Sequence, residues 1–152
     1  MSTRKLLSFL AFIGAVATSP VAAQPGSPNL TPGPVTRINL VRIVPGHGDM
    51  FWQDIRQNQR PILEEYKRRG IIDGYTVGTK VTTDDPDDWN VVFTFSYKNW
   101  AALDALGTRT DSVTLAHYGS AAKRTAAGNA RLAHGTTVAS FLVRGQTVNP
   151  WK

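Results

Sequence analysis

VTRINLVRIV (Val35–Val44), PGHG (45–48), DMFWQDIRQNQRPILEEYKRR (Asp49–Arg69), Gly70, IIDGYTVGTKVTT (Ile71–Thr83), DDPDD (84–88) and WNVVFTFSY (Trp89–Tyr97) follow one another directly. The run reads as strand, Pro-Gly turn, long helix, glycine stop, strand, acidic turn, strand. In the first strand Ile38, Leu40 and Val44 share one face, and Arg37, Asn39, Val41 and Ile43 the other. Both faces carry apolar side chains, so both are expected to be at least partly covered. Asp49 is the expected N-cap of the helix, and Phe51, Ile55, Ile62 and Tyr66 recur at helical spacing, with Leu63 widening the stripe. Pro61 cannot donate to Gln57 and crowds its carbonyl, which predicts a kink or break with Arg60 pushed out of helical angles. Gly70 fits the position just past a helix end. Gly74 and Gly78 in the second strand suggest a bulge or a close backbone approach. In the third strand Trp89, Val91, Phe93, Phe95 and Tyr97 form an apolar face, expected to lie under helices. Asn90, Val92, Thr94 and Ser96 form a wetter one.

Downstream, Lys98–Leu106 starts a second helix with Trp100, Leu103 and Leu106 on one side. Gly107–Thr110 is expected to interrupt it, Asp111 or Ser112 to cap a restart, and Gly119 to break it again. Residues 120–134 read as an alanine-rich helix, and Thr136–Arg144 as the last strand. The order β-α-β-β-α-β is the split arrangement of the ferredoxin-like fold: α+β, an antiparallel four-stranded sheet with helices on one face. Upstream, Arg4 and Lys5 precede the apolar run LLSFLAFIGAVA, Pro20 breaks it, and Val21-Ala22-Ala23 offers small residues for cleavage. The run is too short for a spanning helix, which needs about 20 residues. The expected organisation is therefore a signal peptide over 1–23, a disordered Pro/Gly/Ser-rich linker over 24–34, one domain over 35–145 and a tail over 146–152. The expected location is periplasmic or secreted, with no membrane association after cleavage.

The composition excludes several classes. There is no cysteine, hence no disulfide, no lipid-attachment cysteine and no cysteine-ligated metal or cluster. Lys and Arg number 17 against 11 Asp and Glu, and 15 against 11 without Arg4 and Lys5. These charges are scattered rather than gathered in an aromatic-interleaved stripe, so no nucleic-acid partner is expected. No nucleophile elbow, phosphate loop, zinc-protease or dinucleotide motif is present.

The first strand ending in Pro-Gly, the long helix ending in Gly, and the hairpin followed by Tyr97-Lys98-Asn99-Trp100-Ala101-Ala102-Leu103 resemble the dimeric α/β-barrel superfamily. Within it they resemble a secreted, functionally uncharacterised bacterial branch, over roughly Val35–Gly145. The extended segment 107–135 departs from simpler members, which have a single short helix there. The resemblance implies a homodimer whose two sheets close a barrel, with a small-molecule ligand inside it. Arg37, Asn39, Asn90, Thr94 and Ser96 would then form the ligand-facing side. Members include cofactor-independent monooxygenases, cyclases, isomerases, haem-degrading enzymes and proteins without known activity, and fold alone does not choose among them. The expected function is small-molecule binding, with either cofactor-independent turnover of an aromatic or quinone-like substrate, or non-catalytic binding as in a stress protein.

No metal site is expected, no catalytic residue is singled out, and no cofactor is expected beyond one alternative. Asn39, Trp100 and His117 match in order the residue types that haem-degrading members carry, which makes haem that alternative and places Trp100 and His117 among the candidate pocket residues. His47 at a helix start and His134 at a helix end read as structural, the latter complementing the helix dipole. Glu64 and Glu65 are adjacent on a helix surface, and DDPDD lacks the wrapped geometry of a calcium loop. Arg37 and Asn39 are the strongest candidates for ligand contact, because polar groups in a central strand need partners.

Overall fold

The computed structural model describes residues 29–82 and 88–151. The expected signal peptide, most of the expected linker and most of the acidic turn lie outside these residues. Four strands form one antiparallel sheet in the order β2-β3-β1-β4: β1 (Leu30–Ile43), β2 (Gly74–Thr79), β3 (Val91–Tyr97) and β4 (Gly135–Val148). Between β1 and β2 run α1 (Gly48–Asp54), a π-helical turn (Ile55–Gln59) and α2 (Arg60–Arg68). Between β3 and β4 run a 3₁₀ turn (Trp100–Leu103), α3 (Leu106–Tyr118) and α4 (Ala121–Leu132). The chain has the ferredoxin-like fold, as its strand and helix order predicted.

Register assigns the faces. Val35, Arg37, Asn39 and Val41 lie opposite Tyr97, Phe95, Phe93 and Val91, and directly opposed residues share a face. Phe93, Val91 and Tyr97 are buried under the helices, so this is the helix-covered face. The open face carries Ile38, Leu40, Val92, Thr94 and Ser96, joined by Phe141 of β4. The core is in two parts. One cluster gathers Val35, Tyr97, Ile62, Leu63, Ile71 and Val113, and the other gathers Val41, Val91, Phe93 and Phe51. At the second, the Phe51 ring lies so close to the start of β4 that a Cβ at position 135 would sit 2.8 Å from it, hence Gly135.

Several expected boundaries move. β1 begins at Leu30, inside the expected linker, because Leu30–Pro32 pairs with Gln146–Val148 of the expected tail. Gly33 and Gly145 meet at the irregularity in that ribbon. The second and third strands are shorter than expected, and Ile71 and Ile72 are core residues outside β2. Arg60 stays helical, with φ −57° and ψ −50°. The π-helical turn ahead of Pro61 relieves the expected clash: the Arg60 N–H reaches back to Ile55 O, and the chain continues instead of breaking. His47, not Asp49, occupies the N-cap, without a side-chain cap bond. Gly70 ends α2 as expected, at φ +61°. The Gly70 N–H donates to Lys67 O and the Ile71 N–H to Tyr66 O, a Schellman closure. Gly107–Thr110 is helical rather than an interruption. Arg109 ties it down by donating to the carbonyls of Ala102 and Gly70. The break falls earlier, at Ala105, in the left-handed region at φ 52°. Gly119 breaks the helix as expected, at φ +76°, and the Ser120 hydroxyl caps α4 by accepting from the Lys123 N–H.

Candidate functional site

On the helix-covered face β1 reads Val35, Arg37, Asn39, Val41. Its apolar ends belong to the two core clusters, and its polar middle falls between them. A cleft opens at that gap, between the sheet and the helical layer. It has two chambers of about 550 Å³ and about 490 Å³, which meet at Asn39, Gln59, Leu63 and Phe95. The larger is floored by Phe51, Phe93 and Phe95, with the Phe93 and Phe95 rings parallel at a centroid distance of 6.4 Å. Its roof is α4, which presents Arg124, Gly128, Asn129 and Arg131. Arg37, Tyr66, Tyr97 and Thr110 line the smaller.

Packing and polar contacts hold these groups. Ser140 Oγ donates to Asn39 Oδ1 at 2.7 Å, fixing the amide across β1 and β4. The π-helical turn turns Ile55 and Gln59 toward the cleft and leaves Asp54 and Asn58 to meet α3 and α4. Asn58 Nδ2 donates to Asp54 Oδ1 at 2.8 Å, and Arg131 Nε to Asp54 Oδ2 at 2.6 Å. Arg131 also donates to the Tyr118 hydroxyl at 3.0 Å. With the Gln59 amide turned so that its oxygen faces α4, Gln59 accepts from the same guanidinium at 2.6 Å. Burial pulls the Arg131 pKa down, but the hydrogen bond and charge of Asp54 outweigh it and raise it above the ordinary value. Arg124 donates to Asp111 at 2.6 Å. Burial raises the Tyr97 phenol, against the opposing pull of Arg37. Burial also raises Tyr66, against a hydrogen bond with Thr110. Both phenols are therefore neutral donors at neutral pH.

The structure divides the residues expected to face one pocket. Arg37 and Asn39 line the cleft, but on the face opposite Thr94 and Ser96, since Arg37 pairs with Phe95 and Asn39 with Phe93. Thr94 shares a hydroxyl contact with Thr76 on the open face. Asn90 is structural: its Oδ1 accepts from the Ile43 N–H at 2.9 Å and its backbone N–H donates to Val41 O. Trp100 is 47% exposed on the 3₁₀ turn. His117 is exposed on α3, its Nε2 3.2 Å from Asn58 Oδ1, and it lines a separate depression of about 180 Å³ beside Pro61 and Glu65. Asn39, Trp100 and His117 thus line no common pocket among those they border. His47 and His134 pair with each other: their Nδ1 atoms are 3.1 Å apart, and His47 Nδ1 is also 3.0 Å from Ala133 O. Among the described residues no group of three metal-ligating side chains is present, and no helix is long and apolar enough to cross a membrane.

Gln59 and Arg131 escaped the sequence reading, which took Phe51, Phe93 and Phe95 for core rather than for the floor of a cleft. A legible hint existed for Gln59: Phe51, Ile55, Gln59 and Leu63 recur every four residues, and one polar member in such a stripe marks an opening in the layer. Arg131 had no comparable signal, because its partner Asp54 is far away in the chain.

No family model and no curated protein sequence matches the chain. Among solved structures it is similar to HapK from Hahella chejuensis, at 12% identity over 78% of this chain and 96% of that one, with a TM-score of 0.47. It is similar to a dimeric ferredoxin-like protein from an uncultured marine organism, at 12% identity over 80% and 100%, with a TM-score of 0.45. It is also similar to a dimeric protein of unknown function and ferredoxin-like fold from Bacteroides fragilis, at 15% identity over 76% and 97%, with a TM-score of 0.42. These are likenesses of fold, and the strand order β2-β3-β1-β4 with all helices between β1–β2 and β3–β4 is the ferredoxin-like one.

Proposed function

We propose that the chain binds a small organic molecule in the cleft between the sheet and its helices, and that it does so as a homodimer. The observation that carries the first part is the divided core. Arg37 and Asn39 replace apolar side chains in the middle of a central strand, at a position where close packing would otherwise continue. The opening left there has a flat aromatic floor and converging amide, phenol and guanidinium donors, the usual build of a small-molecule site.

Binding rather than turnover is the reading the groups favour. The carboxylates nearest the cleft's arginines are engaged, Asp54 by Arg131 and Asn58, and Asp111 by Arg124. Among the described residues the cleft lining holds donors and no carboxylate or histidine placed to act as a base.

Gly128 supplies the test. It sits in α4 over the larger chamber, and a Cβ there meets nothing within 4 Å. Gly128→Phe fills the chamber and also removes a helix-interior glycine, which costs about 1 kcal/mol relative to alanine. Titration with naphthalene-2-carboxamide, a flat neutral aromatic, is expected to raise the melting temperature of the native chain and not that of Gly128→Phe. An equal shift in both proteins would place the ligand elsewhere.

The homodimer rests on the open face. Its β1 and β4 half is apolar, with Ile38 opposite Phe141, Leu40 opposite Ala139 and Thr36 opposite Val143. Phe141 is 45% exposed and Val143 39%. Its β2 and β3 half is polar, with Thr76 opposite Thr94 and Gly74 opposite Ser96. A large apolar patch confined to one half of an uncovered sheet is a surface for association.

A further inference from the structure

Three arginines line the cleft, and they differ in one respect. Arg124 and Arg131 each hold a carboxylate. The Arg37 guanidinium has no hydrogen bond and no ion pair with any described residue; its electrostatic neighbour is the neutral Tyr97 phenol. It is also the most centrally placed of the three, on an inner strand between β3 and β4, opposite Phe95 and Leu142 and only partly exposed. A guanidinium held there without a counter-charge is costly, and an anion supplied from solution offsets that cost. The chamber around it has the complementary character. Asn39, Gln59, Tyr66, Tyr97 and Thr110 are uncharged and able to donate, and among the described residues no acidic side chain lines it. Arg37 thus sits at one end of a continuous cleft whose other chamber has an aromatic floor.

We infer that the ligand is an aromatic or similarly flat apolar acid, its carboxylate paired with Arg37 in the smaller chamber and its ring body over Phe93 and Phe95 in the larger. The guanidinium fork matches a carboxylate with two parallel N–H···O bonds. The phenols of Tyr66 and Tyr97 and the amide of Gln59 are the neighbouring donors available to its oxygens. This assignment rests on the cleft being the binding site and adds the charge and polarity of what it takes.

The test compares naphthalene-2-carboxylate with naphthalene-2-carboxamide, equal in shape and unequal in charge, by calorimetric titration of the full chain. The carboxylate is expected to bind about tenfold tighter at low salt, the size of one charge-assisted pairing, with the preference shrinking as ionic strength rises. Arg37→Gln should abolish the preference, so that the carboxylate and the amide bind that variant with equal affinity. Asn39→Asp, which sets a carboxylate two residues away on the same face, should cancel the preference without removing the arginine and stands in if Arg37→Gln does not fold. Equal affinity for the two molecules in the native chain, or a preference surviving both substitutions, overturns the pairing with Arg37 while the cleft remains a binding site. If neither molecule binds the native chain, the cleft reading fails and the assignment with it.

Discussion

Asp54 joins three elements through one carboxylate. It closes the end of α1, accepts from Asn58 in the π-helical turn and accepts from Arg131 of α4. Its side chain is 16% exposed and that of Arg131 28%, so the pair is screened less than a surface one. α4 buries no residue of its own, and Leu132 is 64% exposed. This ion pair, with Arg124–Asp111, does the fastening that apolar contacts do elsewhere. Asp54→Asn leaves the Arg131 guanidinium half-buried without a counter-charge, which is expected to cost about 1–3 kcal/mol in urea unfolding. Amide exchange in α4 should quicken more than in α2. An unchanged midpoint with unchanged exchange would show that α4 is held some other way. At this scale the sequence exposed the candidates Arg37 and Asn39 but not their companions, since Asp54 and Arg131 are distant in the chain and meet only in the folded protein.

At the scale of elements, α1, the π-helical turn and α2 form one continuous helical arm that absorbs a proline. Sequence rules locate the disturbance at Pro61 and predict a break. The structure spends the irregularity one turn earlier, in the widened turn that aims Gln59 into the cleft. The far end of the arm is clamped by Glu65, which accepts from Arg68 and Arg69 at 2.6 Å. The hydrogen bond from Arg68, then that from Arg69, lowers its pKa from 4.5 to about 2. The folded state thus prefers the ionised carboxylate. Its contribution is present in full above pH 4.5 and is lost as the pH falls toward 2. Glu65→Gln is expected to flatten the acid limb of the stability curve between those values and to leave neutral stability little changed, because its partners Arg68 and Arg69 are exposed to solvent and salt. An acid limb as steep as the native one would mean that other carboxylates set it. Strand boundaries were the least legible feature. Leu30–Pro34 looks like linker by its prolines and glycine, and becomes strand because Gln146–Val148 lies alongside to pair with it.

For the whole molecule, the sheet has one covered face and one bare face, and the bare face is mainly apolar along β1 and β4 and mainly polar along β2 and β3. The proposed homodimer rests on that asymmetry. Light scattering is expected to give twice the chain mass for the native protein and the single chain mass for Phe141→Lys, which puts a charge in the middle of the apolar half and leaves the cleft on the other face unaltered. A native chain that is monomeric at all concentrations would remove the dimer and leave the cleft untouched. The sequence by itself determined the element order, the turn positions at Gly70 and Gly119 and the aromatic face of β3, because periodicity and glycine chemistry are local properties of the chain. It also marked Arg37 and Asn39 as misfits in a central strand. The face they point to was decided only by the tertiary structure. Alternation along β1 divides its residues into two sets, and the antiparallel register with β3 alone says which set meets Phe93 and Phe95 beneath the helices. That register separates Arg37 and Asn39, on the cleft side, from Thr94 and Ser96 on the open face, and it is why the proposed ligand site is the cleft.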